Sequence, residues 1–493
     1  MSQAGKKDSV RELAEQNPQW LFWACFIALV ATAFGFIIRT QIIGDWGVEF
    51  NLSETQKGEL LGVGLWPFAI SIVLFSLVID KIGYGRAMIF AFVCHITSAI
   101  LTIFANGYWM LYVGTFIVAL GNGTVEAVIN PVIATVFSKE KTKWLNILHA
   151  GWPGGLVLGG VLALIMGPGI DWKWKVGLIF IPAIAYGVMM LRVKFPVHER
   201  VKAGVSYKAM LQEAGVLGAA IIVVMMVREL GRVFAWSLTA QIIIAGILVL
   251  VYAAYVRSLG RPMFIFLLLI MIPLATTELG TDSWITELLT PVMTDIGLQA
   301  GWVLVYTSLI MTIMRFSAGP IVNRFSPLGT LAISSFVAII GLVFLSKAAG
   351  IMIFIAATLY GISKSFFWPT MLGVVAERFP KGGALTLNTI SGVGMLTVGV
   401  IGAAFLGNIQ DRQIDRELTT QNMVLHEKVA GEEESSVFGK YRPLNQTKIA
   451  TLTPEEKGII TRIVDTAKKN ALMTVAIFPT IMLLCYLGLI FYF

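Results

Sequence analysis

Apolar residues run through this chain in long blocks rather than in short alternations. Such blocks fall at about 19–43, 57–79, 86–105, 108–137, 143–167 and 173–194, and again at about 262–290, 299–323, 328–347, 350–379, 384–408 and 470–493. A membrane-spanning helix needs roughly 20 mostly apolar residues, so the pattern predicts six spans followed by six. Two further apolar runs, about 214–227 and 236–256, lie between the two sets. Read as a transmembrane hairpin they raise the count to fourteen; read as an interfacial amphipathic pair they leave it at twelve. The predicted organisation is an N-terminal six-helix unit over 1–194, a linker with the extra hairpin over 195–260, and a C-terminal six-helix unit over 261–493. The first run contains a small-x-small Ala31-Thr32-Ala33 but exceeds the about 7–15 apolar residues of a signal peptide. It is expected to remain as an uncleaved first helix.

Composition agrees with this pattern. Of 493 residues, 57% are hydrophobic and 13% charged, against about 45–50% and about 25% in ordinary globular proteins. That balance excludes a soluble enzyme, a disordered chain and a nucleic-acid binder. The net charge of +8 is explained by where the basic residues sit. With the amino terminus placed in the cytoplasm, the inward loops hold 18 Lys and Arg, from Lys6 to Lys381, and the short outward loops hold 6. This is the positive-inside asymmetry of a multi-pass protein, and it predicts an inner, cytoplasmic membrane location. One outward loop, 409–469, is long and carries ten acidic and ten basic residues. It reads as a solvated, neutral insertion, with Thr453-Pro454-Glu455-Glu456 fitting a capping box that starts a helix. Cys25, Cys94 and Cys485 lie far apart in apolar runs, which predicts neither a disulfide framework nor a metal site.

The two halves repeat. Asp80-Lys81-Ile82-Gly83 and Arg86 follow the second span, and Asn323-Arg324 follows its counterpart. Asn130-Pro131 in the fourth span answers Trp368-Pro369, and Leu145-Asn146 answers Leu387-Asn388. Glycine-rich stretches in both halves permit close helix packing. Two six-helix halves related by a parallel repeat describe a transporter that works by alternating access.

The stretch 76–86 resembles the loop signature of the major facilitator superfamily, through Asp80, Lys81, Gly83 and Arg86. Within the fourth span, Gly121-Asn-Gly123-Thr-Val-Glu126-Ala-Val-Ile-Asn130-Pro131 is similar to the signature of the fucose–proton symporter family, as is the following Leu145-Asn146-Ile-Leu-His149-Ala-Gly151-Trp152. The similarity covers about 20–194 and 262–408. It implies an all-α membrane protein of the major facilitator fold, two six-helix bundles with pseudo-two-fold symmetry, carrying a monosaccharide with a proton. It also implies a cytoplasmic charge clasp at Asp80, Lys81, Gly83, Arg86, Asn323 and Arg324, which opens when the halves rock. Where that family has an acid in its first span, this chain has Thr40, flanked by Arg39 and Gln41; where it has glutamine in the fifth span, this chain has His149.

Ionisable groups deep in a membrane cost at least about 2.5–3.5 kcal/mol each and persist where they line a wet cavity. Glu126, centred in its span, is the expected proton-coupling carboxylate, with Arg39 as its partner. The expected substrate contacts are Gln41, Asn130, Asn146, His149, Trp152, Glu278, Asp282, Trp284, Lys364, Trp368 and Asn388. Among these, amides and carboxyls grip hydroxyls and indoles stack on sugar faces. Glu278 and Asp282, four apart, share a helix face, and Lys364 is placed to pair with them. Glu287 reads as a lip residue, and Arg315 as a structural ion-pair position. No nucleotide or zinc motif appears, so neither an enzyme nor a cofactor is expected. The expected partners are a small-molecule substrate, protons and the lipid bilayer, with the chain acting as a monomer. Two alternatives stay open: an organic anion or sugar acid held by Arg39 and Lys364, and a non-transporting membrane sensor whose 409–469 loop binds a partner.

Overall fold

The computed structural model describes residues 17–492 except 53, 168, 283–284, 286–288, 290–292, 295–296, 298–300, 399–402 and 437–438. Among these residues the chain is almost wholly helical, with one short antiparallel ribbon of β1 (Glu434–Ser436) and β2 (Gly439–Tyr441). Eleven described helices are long and apolar enough to cross a membrane, or twelve when the bent pair Gly301–Phe316 and Ala318–Phe325 counts as one span. The sequence pattern predicts fourteen spans, with twelve as the fallback; the fallback number fits, although both hairpin helices are among the spans counted. Fourteen would also need the shorter helices Met352–Lys364 with Phe367–Arg378, and Gly383–Thr397, as crossings.

The N-terminal half comprises α1 (Pro18–Glu49), α2 (Glu59–Ile82), α3 (Tyr84–Ile103), α4 (Tyr108–Val136), α5 (Lys141–Met166) and α6 (Trp172–Met190). The Asn17 side chain accepts from the amides of Gln19 and Trp20, and Pro18 takes the first helical position, so α1 starts where the apolar run does. Small residues set how close the helices come. A Cβ on Gly155 of α5 would lie 2.7 Å from the Val30 carbonyl of α1, and one on Gly123 of α4 would lie 2.2 Å from the Phe68 carbonyl of α2.

In the linker, α7 (Tyr207–Val233) and α8 (Leu238–Val256) form the extra hairpin. Gly215, at φ +61°, divides α7 near the residue where the apolar run begins. Gly260, at φ +101°, crosses it so closely that a Cβ on Gly215 would lie 2.0 Å from the Gly260 nitrogen. Both positions therefore require glycine. The crossing is stitched by Val216 N to Ser258 O (2.8 Å), Arg261 N to Glu213 O (3.1 Å) and an Arg261–Glu213 ion pair. At the far end, Phe234 packs edge-on against Trp66 at the start of α2, 6.4 Å between centroids. The hairpin turn thus lies at the end of the bundle opposite the stitch. Most apolar side chains of α8 are exposed, as for a peripheral helix that faces lipid.

The C-terminal half comprises α9 (Pro262–Gly280), α10 (Gly301–Phe316, bent by 64° into Ala318–Phe325), α11 (Pro327–Lys347), α12 (Met352–Lys364), α13 (Phe367–Arg378) and α14 (Gly383–Thr397). It is completed by α18 (Ile477–Tyr492), beyond the insertion. The halves meet where α2 faces α14, and where α5 faces α10 and α13. The insertion is more ordered than a solvated loop. Its α15 (Ala403–Gln421), α16 (Met423–Val429) and α17 (Pro454–Val475) bury Ile414, Leu418, Leu425, Val429, Ile460 and Ile463 together. The capping box at Thr453 and Glu456 is present. The three cysteines are free.

The stitch and the Phe234 contact fix the sidedness of the hairpin turn. A cysteine at exposed Thr239 should react with an impermeant maleimide from the same side as one at Asn106, in the turn between α3 and α4. A cysteine at Lys202 should react only from the opposite side. Labelling of Thr239→Cys together with Lys202→Cys would place the hairpin on the membrane surface instead.

Candidate functional site

The centre of the molecule is built around helices that prolines have interrupted. A proline has no amide N–H, so in a helix it leaves the carbonyl four residues earlier without its usual donor. Pro131 in α4 does this to Ala127, Pro153 in α5 to His149, and Pro369 in α13 to Ser365. In each case a side chain supplies a donor. Asn388 Nδ2 donates to Ala127 O (3.0 Å), Arg315 Nη1 to His149 O (2.8 Å) and Arg315 Nε to Ser365 O (2.7 Å). The repeat is imperfect here: α4 runs continuously through Pro131, whereas the counterpart is broken at Ser365–Phe366 ahead of Pro369.

The third arm of Arg315, Nη2, donates to Glu278 Oε1 at 2.6 Å. Glu278 sits in a π-helical turn, Thr276–Gly280, at the end of α9. Such one-residue insertions often mark functional positions. Pro273 lies just before the turn, and Thr277 Oγ1 donates to its carbonyl (2.7 Å). The other Glu278 oxygen accepts from the Trp368 amide at 3.0 Å, so both carboxylate oxygens are bonded. One turn on, Asp282 pairs with fully buried Lys364 of α12. Glu278 and Asp282 both face the interior, as their spacing predicts, and each engages its own cation.

A second polar chain descends from the N-terminal half. Asn130 Nδ2 donates to Glu126 Oε2 (2.7 Å), and the Asn130 carbonyl oxygen meets His149 Nε2 (2.9 Å). Glu126, His149, Trp152, Glu278, Arg315 and Trp368 line one central cavity of about 30 Å³. Trp152 and Asp282 line a neighbouring one of about 50 Å³. A cavity needs roughly 10–15 Å³ of such space to hold a water, so each of these cavities is sized for a few waters. At the end bearing the α4–α5 turn the halves are clamped together: Thr142 Oγ1 donates to Glu377 Oε1 (2.5 Å), and Lys141 Nζ reaches the Ala376 carbonyl (3.4 Å).

Several expected site residues lie elsewhere. Arg39 does not reach Glu126. Its guanidinium donates to Ser98 Oγ (2.8 Å) and the Gly35 carbonyl (3.0 Å), because position 39 faces α3 rather than the interior seam. Gln41 points at the Gly160 carbonyl (3.4 Å), at the α1–α5 contact. Asn146 bonds Thr370 Oγ1 (3.1 Å) across the halves, and Asn388 bonds Ala127, so both join helices and do not line the central cavities. Trp284 and Glu287 lie outside the described residues. Arg315, which the sequence suggested only as a structural ion pair, lines the cavity and ties three segments together. The prolines four residues beyond its acceptors were the sequence signal for it.

The charge clasp also differs from expectation. Asp80 pairs with Arg200, in the short linker helix Glu199–Lys202, and not with Arg86, which is exposed. Lys81 sits 5.2 Å over the Tyr207 ring, and Gly83 holds φ +83°. Glu199 pairs with Lys141 at 2.7 Å. Asn323 and Arg324 are exposed, and Arg324 covers the Phe325 ring at 5.6 Å. The bend after Phe316 carries them away from any matching clasp.

Comparison with known proteins gives a family and a fold. The family model described as Major Facilitator Superfamily matches residues 20–407. A TsgA homolog of Buchnera aphidicola subsp. Schizaphis graminum is 26% identical over 36% of this chain and 47% of its own length. A gentisate transporter of Corynebacterium glutamicum is 24% identical over 40% and 43%. A probable sugar efflux transporter of Helicobacter acinonychis is 23% identical over 32% and 40%. The chain thus matches less than half the length of these curated relatives. Among solved structures, the human organic anion transporter MFSD10 superposes with a TM-score of 0.63 at 10% identity, covering 96% of this chain and all of that one. The Escherichia coli fucose:proton symporter FucP does so with 0.55 at 15%, covering 92% and 98%.

The linker contact has a consequence for stability. His198, buried beside Arg200 and Gly383, accepts from the Arg200 amide through Nδ1 (3.1 Å). Burial lowers its pKa from 6.5 to about 4, against the pull of the Asp80 and Glu199 carboxylates. The folded state therefore takes up the proton later than the unfolded one. The stability that neutral His198 confers is complete above about pH 6.5 and is lost as pH falls towards 4, by up to about 3 kcal/mol. His198→Asn, which can still cap the helix, should show a shallower fall in melting temperature over that interval. An identical pH profile for both proteins would show that His198 does not carry it.

Proposed function

This chain belongs to the Major Facilitator Superfamily, and from that premise we propose that it is a secondary transporter that moves a monosaccharide together with a proton by alternating access. The observation that carries the reading is the balance of charge around the central cavities. Arg315 and Lys364 are each paired with a carboxylate of their own half. Glu126 has Asn130 as its hydrogen-bond partner and, among the described residues, no cation in ion-pair contact. A carboxyl without an ion-pair partner among the described residues thus stands beside two indoles, Trp152 and Trp368, and the Asn130–His149 chain. Aromatic faces and amides suit a neutral, hydroxyl-bearing ligand, and a lone carboxyl suits proton exchange when the cavity changes sides.

In this reading Glu126 carries the proton without Arg39, and the remaining central residues bind substrate. The excess of basic residues in the loops read as inward supports a cytoplasmic amino terminus and an inner-membrane location. The likeness to FucP and to a named sugar efflux transporter supports the sugar reading. A second reading, an organic anion, is favoured by one observation: protonating Glu278 or Asp282 would release Arg315 or Lys364 as a ready cation inside the cavity. The names of the gentisate and organic anion transporters point the same way.

Proteoliposomes with an imposed proton gradient and a panel of neutral sugars and carboxylates distinguish the two readings. Accumulation of a neutral sugar, abolished by a protonophore, is the expected result; accumulation restricted to carboxylates selects the second. Glu126→Gln mimics the protonated carboxyl. It should abolish uphill accumulation while leaving exchange of substrate across the bilayer largely intact. Concentrative uptake by Glu126→Gln would move the coupling role to Glu278 and Asp282, or leave a uniporter.

A further inference from the structure

We infer that Arg315 and Asn388 hold the two halves together through carbonyls that prolines of the N-terminal half have freed, and that breaking these two bonds accompanies opening of the closed end. The inference rests on the alternating-access reading above and names the residues that latch it. Two of the three proline-freed carbonyls, Ala127 O and His149 O, belong to the N-terminal half, and both receive their donor from the C-terminal half. The third, Ser365 O, anchors the Arg315 guanidinium within its own half. Asn388 is otherwise lightly held, since its Oδ1 is buried without a partner.

Proline makes such a latch reversible. A carbonyl with its own helical N–H gains little from a visiting side chain, whereas a buried one without a donor must be satisfied. When the halves part, water enters the seam and takes the place of Asn388 and Arg315 at the freed carbonyls. Because a protein hydrogen bond and the water bond that replaces it differ little in free energy, these contacts direct the closed arrangement without welding it. Their positions support the role. Ala127 lies one residue from Glu126, and the Asn130–His149 contact joins the two acceptor segments. Any shift at the coupling carboxyl is therefore passed to both latch points.

Pro131→Ala and Pro153→Ala test this without removing the guanidinium that Glu278 needs. Each variant restores an amide N–H to the freed carbonyl, so the helix itself competes with the side chain from the other half. Spin labels at exposed Lys139 and Lys381, with Cys25, Cys94 and Cys485 replaced, report the separation of the halves at the closed end by pulsed electron paramagnetic resonance. Each proline variant should raise the ratio of long to short distances by about threefold to tenfold, the effect of weakening one hydrogen bond. Pro182→Ala in α6, whose freed Leu178 carbonyl accepts from Ile181 N within the same helix (3.1 Å), should leave the ratio unchanged. Unaltered ratios in both seam variants, or an equal shift in Pro182→Ala, would overturn the inference. A wild type that holds one distance in every condition of pH and sugar would overturn the alternating-access reading itself, and that outcome is distinct from two populations whose ratio ignores the prolines.

Discussion

One guanidinium, at Arg315, joins three segments at the centre of the molecule. It is fully buried, and its arms end on Glu278, on the break of α5 at His149 and on the break ahead of α13 at Ser365. A buried charge is tolerable only when it is paired and its remaining hydrogen-bonding capacity is used. Arg315 meets that condition through two carbonyls that exist as free acceptors because of Pro153 and Pro369. The planar, forked geometry matters, since a lysine ammonium presents a point charge that could not reach all three acceptors at fixed angles. The π turn at Thr276–Gly280 belongs to the same constraint, for it presents Glu278 to Nη2 while the Trp368 amide takes the second oxygen.

The Asp282–Lys364 pair repeats this economy of charge one turn away, so the C-terminal half brings two neutralised pairs to the seam while the N-terminal half brings one unpaired acid. The asymmetry sits on a scaffold whose helices are related by repeat. The N-terminal half keeps α4 continuous through Pro131, and its polar chain of Glu126, Asn130 and His149 crosses from α4 to α5. The C-terminal half breaks at the matching place and uses the broken ends as acceptors. The repeated architecture thus carries diverged chemistry: two ion pairs closed within the C-terminal half, and a hydrogen-bonded acid in the N-terminal one.

The all-helical membrane fold and the family were legible in the sequence, because length and hydropathy are local properties that the bilayer enforces. The sequence revealed which residues carry charge inside the membrane, but less well where they point. Arg39 is expected beside Glu126 because the first span adjoins the fourth in the resembled fold; the rotation of α1 about its axis, which sends Arg39 to Ser98, is fixed by glycine contacts with α5 that no single helix encodes. The partner of Asp80 was missed because Arg200 lies in the linker, 120 residues on, where charge patterning reads only as a basic loop. The insertion looked solvated because its net charge is zero, yet Ile414, Leu418, Ile460 and Ile463 were spaced along amphipathic faces that pack on each other.

The stitched base of the linker hairpin has a topological meaning. Two crossings are an even number, so the chain returns to the side it left and the C-terminal half keeps the orientation it would have without the hairpin. The glycine crossing at Gly215 and Gly260 adds a metric condition, since it brings the chain back to almost the same point as well as the same side. To the two six-helix halves, the connection therefore looks as short as one without the hairpin. The reach of the tether is set by the glycine crossing and not by the length of the hairpin between these glycines.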